Sequence, residues 1–283
     1  MSAAGNSLSN TSRRRRASDE TPGIGLRRSY LRAVVVAGVV LAGVCVSLCA
    51  SLGGASGLVV ALPSWLWFAV AARWIRGQLS LVRPDDRARP YDRFLLANSM
   101  TLFRLLATPM LALGVAQRTG DLRTQWILFG FFIMCATTDV LDGWLARTRN
   151  ECSIFGRMYD HVTDIIFGTL MSVALWWSGL LPSWFFVLAL VRFLLPVFGG
   201  GWLFFQQVAW RIEPSVIGKV TVSTLALLAL AYLLPEGLVD PTVVDHLVIG
   251  LLDLSAFLVG INLVYLVRRG ISILGSTEGP RRR

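Results

Sequence analysis

Charge is what this sequence is short of. Asp, Glu, Lys and Arg make up only 16% of its 283 residues, against roughly 25% in soluble globular domains. Hydrophobic residues make up 54%, and the mean hydropathy is +0.61. A soluble protein with one large helical core is excluded by a second feature. Apolar runs near or above ~18 residues, enough to span a bilayer, recur along the whole chain. Cysteine is also scarce: Cys45, Cys49, Cys135 and Cys152 include no CxxC pair. Cys45 and Cys49, four apart in an apolar run, read as small packing residues rather than ligands or a disulfide. Acids are outnumbered by bases, 17 to 27, for a formal charge of +10. In a chain with many spans that excess records topology and attraction to anionic lipid headgroups. A basic balance alone is a weak footprint for nucleic acid, and no such partner is expected.

What is present is a succession of apolar segments. Residues 1–32 read as a disordered basic cytoplasmic tail, with Arg13 to Arg16 consecutive. A cleaved signal peptide is the rival reading, but the run at 33–52 is long enough to span and another follows at once. The spacing predicts an all-α integral membrane protein of eight helices, near 33–52, 57–75, 98–116, 124–146, 158–181, 184–206, 215–234 and 246–267. Gly53-Gly54, Leu181-Pro182-Ser183 and Pro235-Glu236-Gly237 are expected as tight connections. The first two helices and an Arg/Asp-rich linker occupy 33–90, a six-helix membrane domain 91–270 and a basic tail 271–283. Placing the N-terminus in the cytoplasm puts nearly all loop arginines inside and only Arg118 and Arg123 outside. Both termini are then cytoplasmic, as is the turn between the fourth and fifth helices.

Against this scarcity of charge stand four aspartates, Asp139, Asp142, Asp160 and Asp164, at the ends of two apolar segments. A charge at the centre of a membrane helix costs roughly 2.5–3.5 kcal/mol on insertion scales. The acids therefore imply a positive partner. Asp139 and Asp142 are i, i+3 and Asp160 and Asp164 are i, i+4, so each pair shares one helix face. The polar stretch between Ala146 and Arg157 makes a turn, so the two helices run antiparallel and their acidic faces can meet. Oxygen-only ligands suit Mg²⁺ or Mn²⁺ rather than zinc. Gly143, Ala146 and Gly156 would let a flat polar ligand approach the backbone closely. Arg147 could grip a phosphate through its planar fork. Metals, an arginine and small residues together describe a diphosphate site. The plain alternative is a polar hairpin in which the acids pair with Arg147, Arg149 and Arg157.

The pattern Asp-x2-Asp-Gly-x2-Ala-Arg-x8-Gly-x3-Asp-x3-Asp, filled here by Asp139, Asp142, Gly143, Ala146, Arg147, Gly156, Asp160 and Asp164, resembles that of the CDP-alcohol phosphatidyltransferase (CDP-alcohol phosphotransferase) family. Asn98-Ser99-Met100-Thr101-Leu102-Phe103-Arg104 is similar to the stretch that opens the family's first core helix. Pro214-Ser215-Val216-Ile217-Gly218-Lys219 looks like a segment of its phosphatidylglycerophosphate synthase branch. The resemblance covers about 91–270 and leaves the first two helices outside. It implies a six-helix core, commonly a homodimer, in which Asp139, Asp142 and Asp160 hold metals. Asp164 contributes to a second metal and acts as general base. Asn98, Thr101, Gly143, Arg147 and Ser153, with the small residues Ala146 and Gly156, would meet the CDP-lipid. Two Mg²⁺ or Mn²⁺ ions, CDP-diacylglycerol as donor, an alcohol acceptor and surrounding membrane lipids are the partners implied.

The acceptor is less determined. Glycerol 3-phosphate is the first expectation; phosphatidylglycerol, an inositol phosphate or another polyol follow, and a CDP-choline or CDP-ethanolamine enzyme is the runner-up. Where phosphatidylglycerophosphate and cardiolipin synthases of the family commonly carry Asp-Lys, this chain has Asp164-Ile165, and the lysine's charge is lost. His161 reads either as an acceptor ligand or as an orienting residue. Arg192, mid-helix, reads with Lys219 as a holder of an anionic acceptor, or as one half of a structural ion pair. Arg104 reads as the partner of an acid or a headgroup. From another class, a cation transporter would spread acids across the membrane depth, whereas these cluster at one end. A silent lipid-binding scaffold would tolerate loss of an aspartate, and all four are present.

Overall fold

The computed structural model describes residues 22–84, 89–149, 151–205 and 216–277. The expected tails at 1–21 and 278–283, and Pro214 and Ser215 at the expected start of the seventh helix, lie outside the described residues. Among those described there are eight α-helices and no strand: α1 Ile24–Leu52, α2 Gly54–Arg76, α3 Leu96–Ala116, α4 Leu122–Thr148, α5 Ile154–Trp177, α6 Ser183–Phe205, α7 Val216–Tyr232 and α8 Pro241–Thr277. A single 3₁₀ turn, Leu79–Leu81, lies in the linker after α2. Helices α1, α2, α3, α4 and α8 are long and apolar enough to cross a membrane. Shorter apolar helical stretches, Ser183–Gly199 and Val216–Tyr232, lie in α6 and α7. The protein is a multi-pass membrane protein.

By contacts the chain forms two compact units. One holds the residues up to Met110 with Ile133–Ile166, the other Leu111–Phe132 with Phe167 onward; α3, α4 and α5 contribute residues to both.

In the first unit, α1 and α2 fold back on each other through Gly53 and Gly54, whose φ angles of +70° and +36° suit glycine. The hairpin is tight: a Cβ on Gly57 would meet Cys49 Cα at 3.1 Å. Leu26, Tyr30, Ala37, Leu41, Cys45 and Leu48 form the buried seam of α1, while Val35, Val36, Val39 and Val46 are left more than 60% exposed, as on a lipid-facing surface. Helix α1 begins at Ile24 rather than near 33, which corrects the end of the expected tail at 32. Leu26 and Tyr30 are buried, the Tyr30 hydroxyl donates to the Ala72 carbonyl, and the Phe94 amide donates to Ser29 Oγ at 2.7 Å. Those anchors outweigh the charge of Arg27, Arg28 and Arg32 and extend the helix.

In the second unit, the α5–α6 turn has Gly179 at φ +77°, and Trp176 stacks on Phe186 with centroids 4.7 Å apart. Helix α8 starts at Pro241 behind Asp240, whose carboxylate accepts the Thr242 amide at 2.9 Å. This N-cap advances the start from the expected 246. The same helix runs on to Thr277, not 267, so residues 271–277 are helical rather than tail. Helix α8 packs on α6 and α7.

Candidate functional site

The site lies within the first unit and is built on α3. The most apolar stretch of α3 is 72% buried, against 28% for that of α4. Asn98, Thr101 and Arg104 sit at i, i+3 and i+6 on one face of this buried helix. All three are buried, with Arg104 only 4% exposed.

Each of them meets the acid-bearing helices. Thr101 Oγ1 donates to Asp142 Oδ2 at 2.8 Å. Arg104 spreads its guanidinium over three carboxylates: Nη1 pairs with Asp139, and Nη2 reaches Asp160 Oδ1 at 2.8 Å and Asp164 Oδ1 at 2.9 Å. Asp139, Asp142 and Asp160 offer ligand oxygens all within 4.8 Å of one another. At that spacing two carboxylates repel by roughly 3 kcal/mol at an effective dielectric of about 20, less where solvent screens them. The cluster therefore requires compensating charge, and an all-oxygen donor set of this size fits a hard divalent cation. Asp142 is buried, whereas the side chains of Asp139, Asp160 and Asp164 remain 44%, 47% and 37% accessible. The acids thus back onto α3 and open on their other side.

Beside the acids, Ser153 is the N-cap of α5, its Oγ accepting the Gly156 amide at 3.0 Å and donating to Asn98 Oδ1 at 3.0 Å. Among the described residues the Asn98 amide nitrogen is buried without a hydrogen-bond partner, a donor free for an incoming acceptor. Gly156 has no room for a side chain: a Cβ would lie 2.8 Å from Asn98 Oδ1 and 3.2 Å from Ser153 Oγ. Gly156→Ala must therefore break the Ser153–Asn98 bond. That bond is worth about 1–1.5 kcal/mol, so the KM for a ligand seated against Asn98 should rise about tenfold. Steady-state kinetics alongside a melting curve would check it; an unchanged KM would count against this loop as a binding element.

Gly143 lies beneath Arg147, whose Nη atoms would sit 3.5 Å from a Cβ there. Arg147 is exposed and Ala146 half-buried, so this end of α4 is open to a ligand. His161 is exposed on α5. Arg192 and Lys219 belong to the other unit. There Arg192 is buried, donates to the Gly218 carbonyl at 3.4 Å and lies 5.1 Å over the Phe193 ring.

Arg104, expected as the partner of an acid or a headgroup, is the cation shared by Asp139, Asp160 and Asp164. One feature escapes a reading of sequence. The linker after α2 braces the turn before α5: the Ile154 amide donates to the Arg83 carbonyl at 2.9 Å, Arg93 pairs with Glu151 at 2.8 Å, and Phe94 packs edge-on against Phe155. No motif marks those contacts.

Comparison with known proteins gives the chain relatives. A sequence model described as CDP-alcohol phosphatidyltransferase matches residues 94–267. Among curated proteins, a chloroplastic CDP-diacylglycerol–glycerol-3-phosphate 3-phosphatidyltransferase 1 of Oryza sativa subsp. japonica is 28% identical over 166 residues, 51% of this chain and 48% of the relative. The CDP-diacylglycerol–glycerol-3-phosphate 3-phosphatidyltransferase of Aquifex aeolicus is 29% identical over 126 residues, 44% of this chain and 67% of the relative. A CMP-forming cardiolipin synthase of Streptomyces coelicolor is 30% identical over 104 residues, 36% of this chain and 48% of the relative. The chain spans about half the length of the rice and Streptomyces relatives.

Proposed function

We propose a reaction for this chain, which belongs to the CDP-alcohol phosphatidyltransferase family: transfer of the phosphatidyl group of CDP-diacylglycerol to an alcohol, with release of CMP. The observation that carries it is the convergence of Asp139, Asp142 and Asp160 within 4.8 Å, with Asp164 on the same guanidinium. Asp139, Asp142 and Asp160 would hold one Mg²⁺ or Mn²⁺, and Asp164 would contribute to a second. When bound, these ions supply Lewis acidity toward the phosphoryl oxygens and neutralise charge on the leaving group.

The remaining work falls to side chains of the chain itself. Asn98, Ser153, Gly156 and Gly143 seat the nucleotide end, the Asn98 amide supplying a donor with no other partner among the described residues. Arg147 pairs with the diphosphate through its planar fork. Asp164 accepts the proton of the acceptor hydroxyl as its oxygen bonds to the β-phosphorus and the bond to the CMP oxygen breaks. Alignment of the hydroxyl with that phosphorus contributes more than the basicity of a carboxylate.

Glycerol 3-phosphate is the proposed acceptor, supported by what the rice and Aquifex relatives are named for. Phosphatidylglycerol is the second reading, favoured by what the Streptomyces relative is named for, a CMP-forming cardiolipin synthase. A homodimer, with the site and both termini facing the cytoplasm, belongs to the same proposal; the arginine distribution supports the orientation. The test is full-length protein in lipid nanodiscs, given CDP-diacylglycerol, a panel of alcohols, and Mg²⁺ or Mn²⁺. CMP should appear with one acceptor, stop on adding EDTA and resume when metal is restored. No CMP with any alcohol would overturn the reading.

A further inference from the structure

We propose that Arg104 is the positioning residue of the acidic centre: it stands behind the carboxylates and holds them converged before any cation arrives. The inference rests on the metal-centred reading above and concerns how that site is preorganised.

Exposure decides between two roles for this arginine. A guanidinium occupying the cation's own place would lie on the open side of the acids. Arg104 lies on the closed side, 4% exposed, while the carboxylates it touches are 37–47% accessible. It is therefore a brace and not a stand-in. Thr101, one turn earlier, completes the arrangement. Between them the two residues take one oxygen from each acid: Oδ1 of Asp139, Asp160 and Asp164, and Oδ2 of Asp142. A carboxylate has a second oxygen, and for Asp139, Asp142 and Asp160 it is the atom left to a metal.

The residue type follows from the same geometry. Two nitrogens of one planar group reach three carboxylates on two helices, which the single ammonium of lysine cannot reproduce. The support is local: Thr108 Oγ1 donates to the Arg104 carbonyl at 2.7 Å inside the most buried of the five candidate spans. Among the described residues the buried Nε has no hydrogen-bond partner, and the ion pairs of this side chain go to the acids.

The experiment uses full-length protein in nanodiscs, wild type beside Arg104→Lys and Arg104→Gln. Mn²⁺ binding is followed by electron paramagnetic resonance, and melting is followed in EDTA and in saturating Mn²⁺. Expected is at least a tenfold rise in the Mn²⁺ concentration for half-saturation in both variants. A melting deficit in EDTA should largely close when Mn²⁺ supplies the missing positive charge. Wild type that binds no Mn²⁺ overturns the metal reading and this inference with it. Normal binding in wild type with unchanged or tighter binding in the variants overturns the positioning role alone, tighter binding marking a stand-in. A deficit of equal size with and without Mn²⁺ makes Arg104 merely structural. A variant that folds only with millimolar Mn²⁺ supports the proposal; one that metal does not recover refutes it.

Discussion

Replacing Asp160 by Asn should lower CMP release by roughly two to three orders of magnitude, the range seen when a charge-stabilising group is removed from a reacting centre, and leave the protein folded. Asn keeps the size of the side chain but removes the negative charge that a divalent cation needs. Folding should survive because Arg104 retains Asp139 and Asp164 as partners, and because Asp160 is almost half accessible. Release of CMP from CDP-diacylglycerol, measured with a melting curve on the same preparation, separates the two effects. Turnover within a few-fold of wild type would remove Asp160 from the metal site. Asp164→Asn is the instructive companion. As general base, it should abolish turnover while CDP-lipid binding persists; loss of binding would assign it chiefly to the metal.

Gly168→Ala is the substitution expected to cost most in stability. Gly168 lies one turn beyond Asp164 on α5, and the Phe193 ring of α6 is seated directly on it. A Cβ there would fall 2.1 Å from Phe193 Cζ and 2.3 Å from Cε1. Phe193 is 4% exposed and carries Arg192 over its face, so the ring cannot turn aside without disturbing a buried cation. Overpacking of this kind costs typically 1–3 kcal/mol and sometimes more. The melting temperature should drop clearly in Gly168→Ala, and Phe193→Leu in the same chain should recover part of it by opening space. Equal stability of Gly168→Ala and wild type would show that α5 and α6 are not so closely packed.

Much of this protein was legible before any coordinates. The helices fall where long apolar runs predicted them, because a span must satisfy its backbone internally and must be apolar outside. Their ends were less legible. Helix α1 starts early because Leu26 and Tyr30 find burial that its arginines do not reveal. Helix α5 starts at Ile154, not near 158, because Ser153 caps it. In the site, the spacing of Asp139 with Asp142 and of Asp160 with Asp164 announced two acidic faces. Arg147, Arg149 and Arg157, the nearest basic residues in sequence, were the natural partners to expect. Arg104, read from sequence as the partner of an acid or a headgroup, joins Asp139, Asp160 and Asp164 from far along the chain; that one cation serves both acidic faces is what the spacing did not record.

Amino-acid order by itself determined the class of protein and the chemistry of its site: apolar runs require a membrane, and fixed spacing on a helix decides which side chains share a face. Only the tertiary structure decided what those faces meet. Helix α3 is buried between its neighbours and so confronts the aspartates with Thr101 and Arg104; the linker after α2 ties down the turn before α5. Such pairings depend on packing between segments distant in sequence, where complementarity of shape and charge selects the neighbour and local periodicity carries no record of the choice.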